Sequence, residues 1–225
     1  MHRCLILMIC ILPLVAQEPK KPDENDTRWH ASVRDVATGY KAWMRLEDEM
    51  RWAPWLCSQP MPAPARFSRA KKDTPHARKL YTLYAKDPVA YGAKKTGMGI
   101  TTNTPLRKKL AAFDQVLVKE AWVPERMKQA PSGHPLSWSS KTFGKSRLRP
   151  TKRGEHWYRA DKQAGLFVMM HLTGKPTAAT DAGWVYATVT NDGKITGAGR
   201  MQSCMSCHTK QADRLFGLPK PAAKK

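Results

Sequence analysis

Near the end of the chain stand Cys204, Met205, Ser206, Cys207 and His208, a C-x-x-C-H pattern. This is the attachment pattern of c-type haem. The spacing has a chemical reason. Two thiols three positions apart reach the two vinyl groups along one edge of a porphyrin. The adjacent histidine is then held beneath the ring, where its imidazole ligates iron. Cys204 and Cys207 are therefore candidate cofactor-binding thiols, and His208 is the candidate metal ligand. Three other readings compete. A structural zinc site takes about four ligands, and with Cys57 as the other thiol beyond the leader it would need His156 or His171. A redox C-x-x-C belongs near a βαβ pattern, whereas this one lies at the far C-terminal end of the sequence. A disulfide closing so short a loop is geometrically poor.

The position of the motif narrows its use. Seventeen residues follow His208, too few to carry a distant methionine as a sixth iron ligand. The residues before it read as strands rather than as four long amphipathic helices. A distal ligand is therefore expected from earlier in the chain, or not at all, which leaves iron open to a small molecule. Met169, Met170 and His171 share one strand and are the candidates for a sixth ligand, against plain packing.

The rest of the chain must position this motif. Its 225 residues are 41% hydrophobic, enough for one domain with a sizeable core. Fourteen glycines and 17 prolines exclude collagen and wholesale disorder. Residues 1–17 (MHRCLILMICILPLVAQ) have a positive start, a short apolar run and a small-residue cleavage region, the pattern of a secretory signal peptide. The expected location is periplasmic or otherwise exported, where bacterial c-type haem is attached. Cleavage would remove Cys4 and Cys10 along with Arg3, leaving about +20 of the formal +21 charge. Such a charge attracts acidic partners. Residues 145–153 (KSRLRPTKR) carry five basic residues and no acidic one. They are a candidate docking segment for an acidic redox partner, against an ordinary solvated loop. No recognition motif accompanies the charge, so a nucleic-acid partner is not expected.

The predicted fold class is α+β: a mainly antiparallel β-sheet domain with an N-terminal helix and the C-terminal haem-attachment motif. Val33, Val36, Ala37, Tyr40, Met44 and Met50 recur at helical spacing and predict a helix over residues 30–52. Residues 58–65 (SQPMPAPA) predict an extended linker. Strands are predicted over residues 78–85, 115–123, 165–172 and 183–190, with a short helix over 88–95. Asn191-Asp192-Gly193 is a turn signal, and a short fifth strand starts at Lys194-Ile195. Residues 124–164 show no clear period. Lys119 shares a strand face with Leu117, Ala121 and Val123. If that face is inward, the buried amine calls for a reason; if the other is, Lys119 is solvated. The pattern leaves both open.

Taken in order, these pieces resemble the cytochrome P-460 family, which includes the beta-type cytochromes c′. The resemblance rests on the strand at 79–85, the Val116-Leu117-Val118-Lys119-Glu120 strand and the strand at 165–170. It continues through Gly183-Trp184-Val185-Tyr186, Cys204-Met205-Ser206-Cys207-His208 and residues 213–216. It divides the chain into a leader (1–17), a helical extension with a Pro-rich linker (18–65), a P-460-like haem domain (66–218) and a basic tail (219–225). It implies one covalent haem c per chain, often a homodimer, and His208 as the proximal ligand. In the hydroxylamine-oxidising members a lysine is crosslinked to the haem; Lys119 is the first candidate here, with Lys94 and Lys95 behind it. A nearby carboxylate takes protons as N–H bonds are lost; Glu120 and Glu155 are the candidates, against plain surface roles. The implied ligand is a small nitrogen compound or a diatomic gas. In the gas-binding members apolar aromatics line the distal side, a part open here to Phe143, Phe167 or Trp184.

Overall fold

The computed structural model describes residues 24–46, 49–53, 57–61, 64–68, 76–96, 114–172, 174 and 177–216. The leader and residues 217–225, with the basic tail, lie outside them, and the side chains of Cys57, Lys94 and Lys95 are likewise not described. Among the described residues no helix is long and apolar enough to cross a membrane.

The architecture is α+β, built on one eight-stranded antiparallel sheet. Its main path runs β1 (Met44–Arg45), β5 (Leu80–Ala85), β6 (Val116–Arg126), β8 (His156–His171), β9 (Trp184–Val189) and β10 (Ile195–Gly199). Short strands β4 (Arg66–Phe67) and β7 (Thr151–Arg153) pair with β5 and β8. A separate hairpin joins β2 (Glu49–Ala53) to β3 (Cys57–Met61). Four helices are described: α1 (His30–Gly39), α2 (Pro88–Thr96), α3 (Ser140–Phe143) and α4 (Gln202–His208).

Alternation along the strands sorts side chains onto two faces. Val116, Val118, Leu166, Val168, Met170, Val185 and Ala187 point to one face, where Val33 and Tyr40 cover them. Leu117, Met169, Trp184 and Tyr186 point to the other, under Tyr91 of α2 and Met205 of α4. A third cluster, around Leu80, Trp122 and Leu148, closes the end near β7. The sheet is thus buried on both faces, which is why its central strands read as near-continuous apolar runs.

The predicted helix over 30–52 ends early. It stops at Gly39, continues as a 3₁₀ turn to Ala42, and gives way to β1 and β2. Met44 and Met50 fell at helical spacing by coincidence; Met44 instead pairs with Ala85 in the sheet. Helix α1, read from sequence as part of an extension, shares the sheet's own core through fully buried Val33. The predicted linker is extended as expected where it forms β3.

Residues 124–164 hold more order than their composition indicates. Strand β6 runs on to Arg126 and β8 starts at His156, so their ladder passes far beyond the apolar stretch. Register shifts at Ala121/Trp122 and Val123/Pro124 break the alternation, and bulges of this kind hide a strand from period counting. Pro124, paired with Ala160 of β8, stands at the second of these shifts and beyond the end of β5 pairing at Trp122, and such irregular positions are where a strand accommodates proline.

Gly165 sits at the first of these shifts, opposite Ala121, with φ +123°. A Cβ there would lie 2.5 Å from the Val189 carbonyl oxygen. Gly165→Ala therefore combines an unfavourable backbone region with a clash against a strand that cannot retreat. The expected loss is about 3 kcal/mol in a urea melt.

Candidate functional site

Helix α4 follows β10 directly and carries the whole C-x-x-C-H motif. Its first free N–H, on Gln202, donates to Glu24 Oε1 at 3.2 Å. Residues 24–26 also bond to Ala198 on β10, through Asp26 N to Ala198 O at 2.8 Å and Ala198 N to Glu24 O at 3.0 Å. This segment covers the sheet edge and anchors the start of α4. Met205 turns into the core beside Met201. Cys204 packs partly against that cluster and Cys207 is exposed, and both are free thiols. At i and i+3 the two thiols lie on neighbouring turns of one helix face. Burial pushes the Cys204 thiol up to about 11.

His208 closes the helix. Its Nδ1 lies 2.7 Å from the carbonyl oxygen of Arg214. A carbonyl only accepts, so Nδ1 carries the proton and Nε2 keeps its lone pair. Fixing a ring nitrogen in this way is how proteins orient a metal-ligating histidine. The carbonyl is held in turn. Asp213 and Arg214 both adopt left-handed backbone, with φ of 47° and 62°. Arg214 donates through Nε and Nη2 to the two oxygens of Asp181, each at 2.8 Å. Tyr186 OH donates to Asp181 Oδ2 at 2.8 Å. Burial works to raise the Asp181 carboxyl, but the bonds from Arg214 and Tyr186 outweigh it and hold it below the usual range. The His208 ring rests against Tyr186 at 5.4 Å and half-exposed Phe216 at 4.8 Å.

Lys119 faces this side of the sheet. It pairs with Leu83 on β5 and Phe167 on β8, on the same face as Leu117, Met169 and Tyr186. The amine lies 4.3 Å from the Tyr81 ring centroid and 5.9 Å from that of Phe167. Burial, with Lys79 adding repulsion, lowers it to about 8. Burial first, and then the Lys119 charge, also lower the His208 imidazole. The two sequence-predicted residues thus share one electrostatic neighbourhood.

The other candidates do not join them. Glu120 points to the opposite face, buried, where Tyr40 OH donates to its Oε1 at 2.6 Å and Lys41 Nζ stands at 3.7 Å. Its alternation with Lys119 puts the sheet between the two. Glu155 lies in the turn between β7 and β8, largely exposed and 3.8 Å from Lys152. Phe143 packs against Trp138 with the rings tilted and 5.8 Å apart, and Trp184 is core beside His171. Of the three aromatics, Phe167 is the one that meets Lys119. Met169 shares the Lys119 face and Met170 is in the opposite core. Among the described residues no cluster of three or more His, Cys, Asp or Glu could hold a metal ion.

Sequence reasoning missed His76, which precedes β5 and belongs to no motif. Its Nδ1 lies 3.5 Å from Lys119 Nζ. Its ring centroid is 4.0 Å from that of Phe167. Burial first, then Lys119, His208 and Lys79, push it down to about 3. Protonation is therefore harder in the folded chain than in the unfolded one. The unfolded state binds more protons below about pH 6.5, so stability falls as the pH drops from there toward 3. Between pH 6.5 and pH 5 this site is expected to cost about 1.5 kcal/mol. Urea melts at the two pH values check it, with His76→Leu flattening the difference.

The arrangement offers two thiols, an imidazole with an open Nε2 and, on the same side of the sheet, an amine lowered by burial. No family model matches the chain, and no curated protein matches it.

Proposed function

We propose that the chain is an exported c-type haem protein of the cytochrome P-460 kind, oxidising hydroxylamine or a related small nitrogen compound. Cys204 and Cys207 would bind haem c and His208 would ligate its iron. When bound, the haem supplies a redox-active iron with a position for a small ligand. The observation that carries the reading is the commitment of His208 Nδ1 to the Arg214 carbonyl, which leaves Nε2 as a ligand. Lys119 adds to it, since an amine lowered to about 8 is partly neutral near pH 7 and available as a nucleophile.

In this reading the chain's residues divide the labour. Asp181, Arg214 and Tyr186 hold the imidazole in one tautomer. Tyr81 and Phe167 keep bulk water from the Lys119 amine. Glu120 and Glu155 take no proton from substrate, because one lies behind the sheet and the other in a distant turn. A second reading, binding of nitric oxide or carbon monoxide without turnover, is favoured by Phe167 beside Lys119. A simple electron carrier, with Met169 as sixth ligand, is the third.

The test is the oxidised and reduced absorption spectra of protein made in a host that attaches c-type haem. A strongly red-shifted ferrous spectrum that becomes ordinary in Lys119→Ala supports a lysine-modified haem and the enzyme. An ordinary c-type spectrum in the parent removes the crosslink. Carbon monoxide binding by that ferrous protein then favours the gas-binding reading, and refusal favours the carrier.

A further inference from the structure

The amine of Lys119 is enclosed by two aromatic rings, Tyr81 and Phe167, and by one nitrogen acceptor, His76 Nδ1. No carboxylate among the described residues bonds to it. A lysine ammonium has three donors and no acceptor, so the Nδ1 lone pair faces it and the ring proton sits on Nε2. The imidazole itself is wedged against Phe167, at 4.0 Å between centroids and tilted by 48°. Two residues on, Arg78 takes φ +54°, a region that a long side chain seldom occupies. A strained turn persists only where its surroundings hold it, and such turns gather at functional sites.

We propose that His76 is a positioning residue for Lys119, its Nδ1 holding the amine on the face that carries the C-x-x-C-H helix. This rests on the reading that Lys119 acts at the haem. Without His76 the long lysine side chain has only ring faces to fix its end, and these attract a cation without directing its N–H bonds. The charged and titratable groups facing the pair are Lys79 and Tyr81 from β5 and its approach, and His208 from α4. All the cations among them disfavour a charged imidazole, so the acceptor stays available across the neutral range.

The test compares the parent chain with His76→Phe and His76→Asn. Phenylalanine keeps the bulk and removes the acceptor, whereas asparagine keeps an acceptor. Haem content is measured first. If the parent haem is bonded to Lys119, mass analysis of the haem peptides gives the crosslinked fraction. It is expected to fall at least about fivefold in His76→Phe and to hold in His76→Asn. Equal fractions in parent and His76→Phe overturn the proposal. If the parent has no such bond, the crosslink reading fails separately. The pair is then read on the free amine, in whichever form the haem assay returns, by a nuclear magnetic resonance titration of isotopically dimethylated lysines. Lys119→Arg supplies the assignment. The midpoint is expected near 8 in the parent, lower by about one unit in His76→Phe, and close to the parent in His76→Asn. A midpoint that His76→Phe leaves in place overturns the proposal.

Discussion

The double variant Cys204→Ser, Cys207→Ser, made in a host that attaches c-type haem, is expected to carry no haem bonded through sulfur and to keep its fold. The two halves of that expectation have separate grounds. Attachment needs the thiols, and among the described residues these two are the free cysteines. Folding does not need them. Cys207 is exposed, so a serine there meets water. Cys204 is partly buried beside Met205 and Met201, so its replacement puts a hydroxyl against an apolar cluster at a cost of about 1 kcal/mol. The anchoring of α4 by Glu24 and the packing of Met205 do not involve either sulfur. Denaturing gels stained for haem, beside a far-ultraviolet circular dichroism melt, read both halves. Haem that survives denaturation in the double variant, and still does so when Lys119→Ala is added, would sink the attachment reading outright. Loss of the fold in the unloaded variant would show instead that the thiols are structural. The single variants separate further: Cys207→Ser should retain a haem held through Cys204 alone.

How much of this was legible follows from which interactions are local in sequence. The β5, β6, β8 and β9 strands show themselves because both faces of the sheet are buried and their apolar runs are continuous. Helix α2 lies where its pattern places it, over Pro88–Thr96. The C-x-x-C-H spacing is local too, since one short helix carries all three groups. What was hidden depends on pairing at a distance. The orientation of Lys119 could not be decided from its own strand, because Val118 and Glu120 on one side look as plausible inside as Leu117 and Ala121 on the other. The cover of Tyr40 over Glu120, eighty residues away in sequence, settles which face holds which. It also shows why a carboxylate next to Lys119 in sequence is not next to it in space. The polar half of β8 escaped notice because its residues, Arg159 to Gln163, are held by ladder bonds and by the Arg159–Glu125 pair rather than by an apolar face. His76 carries no pattern at all; only its approach to Lys119 and Phe167 distinguishes it.

A large stability effect is also expected at Asp181, a residue that no motif marks. Asp181→Ala removes the acceptor of three bonds at once, two from Arg214 and one from Tyr186. The Tyr186 hydroxyl is then left without its partner in the core, and the Arg214 guanidinium loses a bidentate clamp. Breaking a buried pair by removing one partner costs about 3–5 kcal/mol. Arg214 is a quarter exposed and regains some water, which places the expected loss at the low end, about 3 kcal/mol. The pH dependence has a definite sign. A carboxyl lowered in the folded state stabilises above its unfolded value and loses that contribution as the pH falls through its folded value. The parent should therefore lose stability below about pH 4 more steeply than Asp181→Ala, and urea melts from pH 7 to pH 3 check it. A purely structural role ends there, but the chain of contacts does not. Arg214 sets the carbonyl that fixes His208 Nδ1, at the end of two left-handed residues. With the clamp gone, that carbonyl is free to swing and the imidazole to rotate or change tautomer, which weakens its Nε2 as a ligand. In haem-loaded protein the variant is expected to shift the ferric Soret band, at a temperature where it remains folded. A variant that loses stability but leaves the spectrum unchanged would make Asp181 a pillar of the fold alone, with His208 oriented by the backbone turn at Asp213 and Arg214 without help from the side chains behind it.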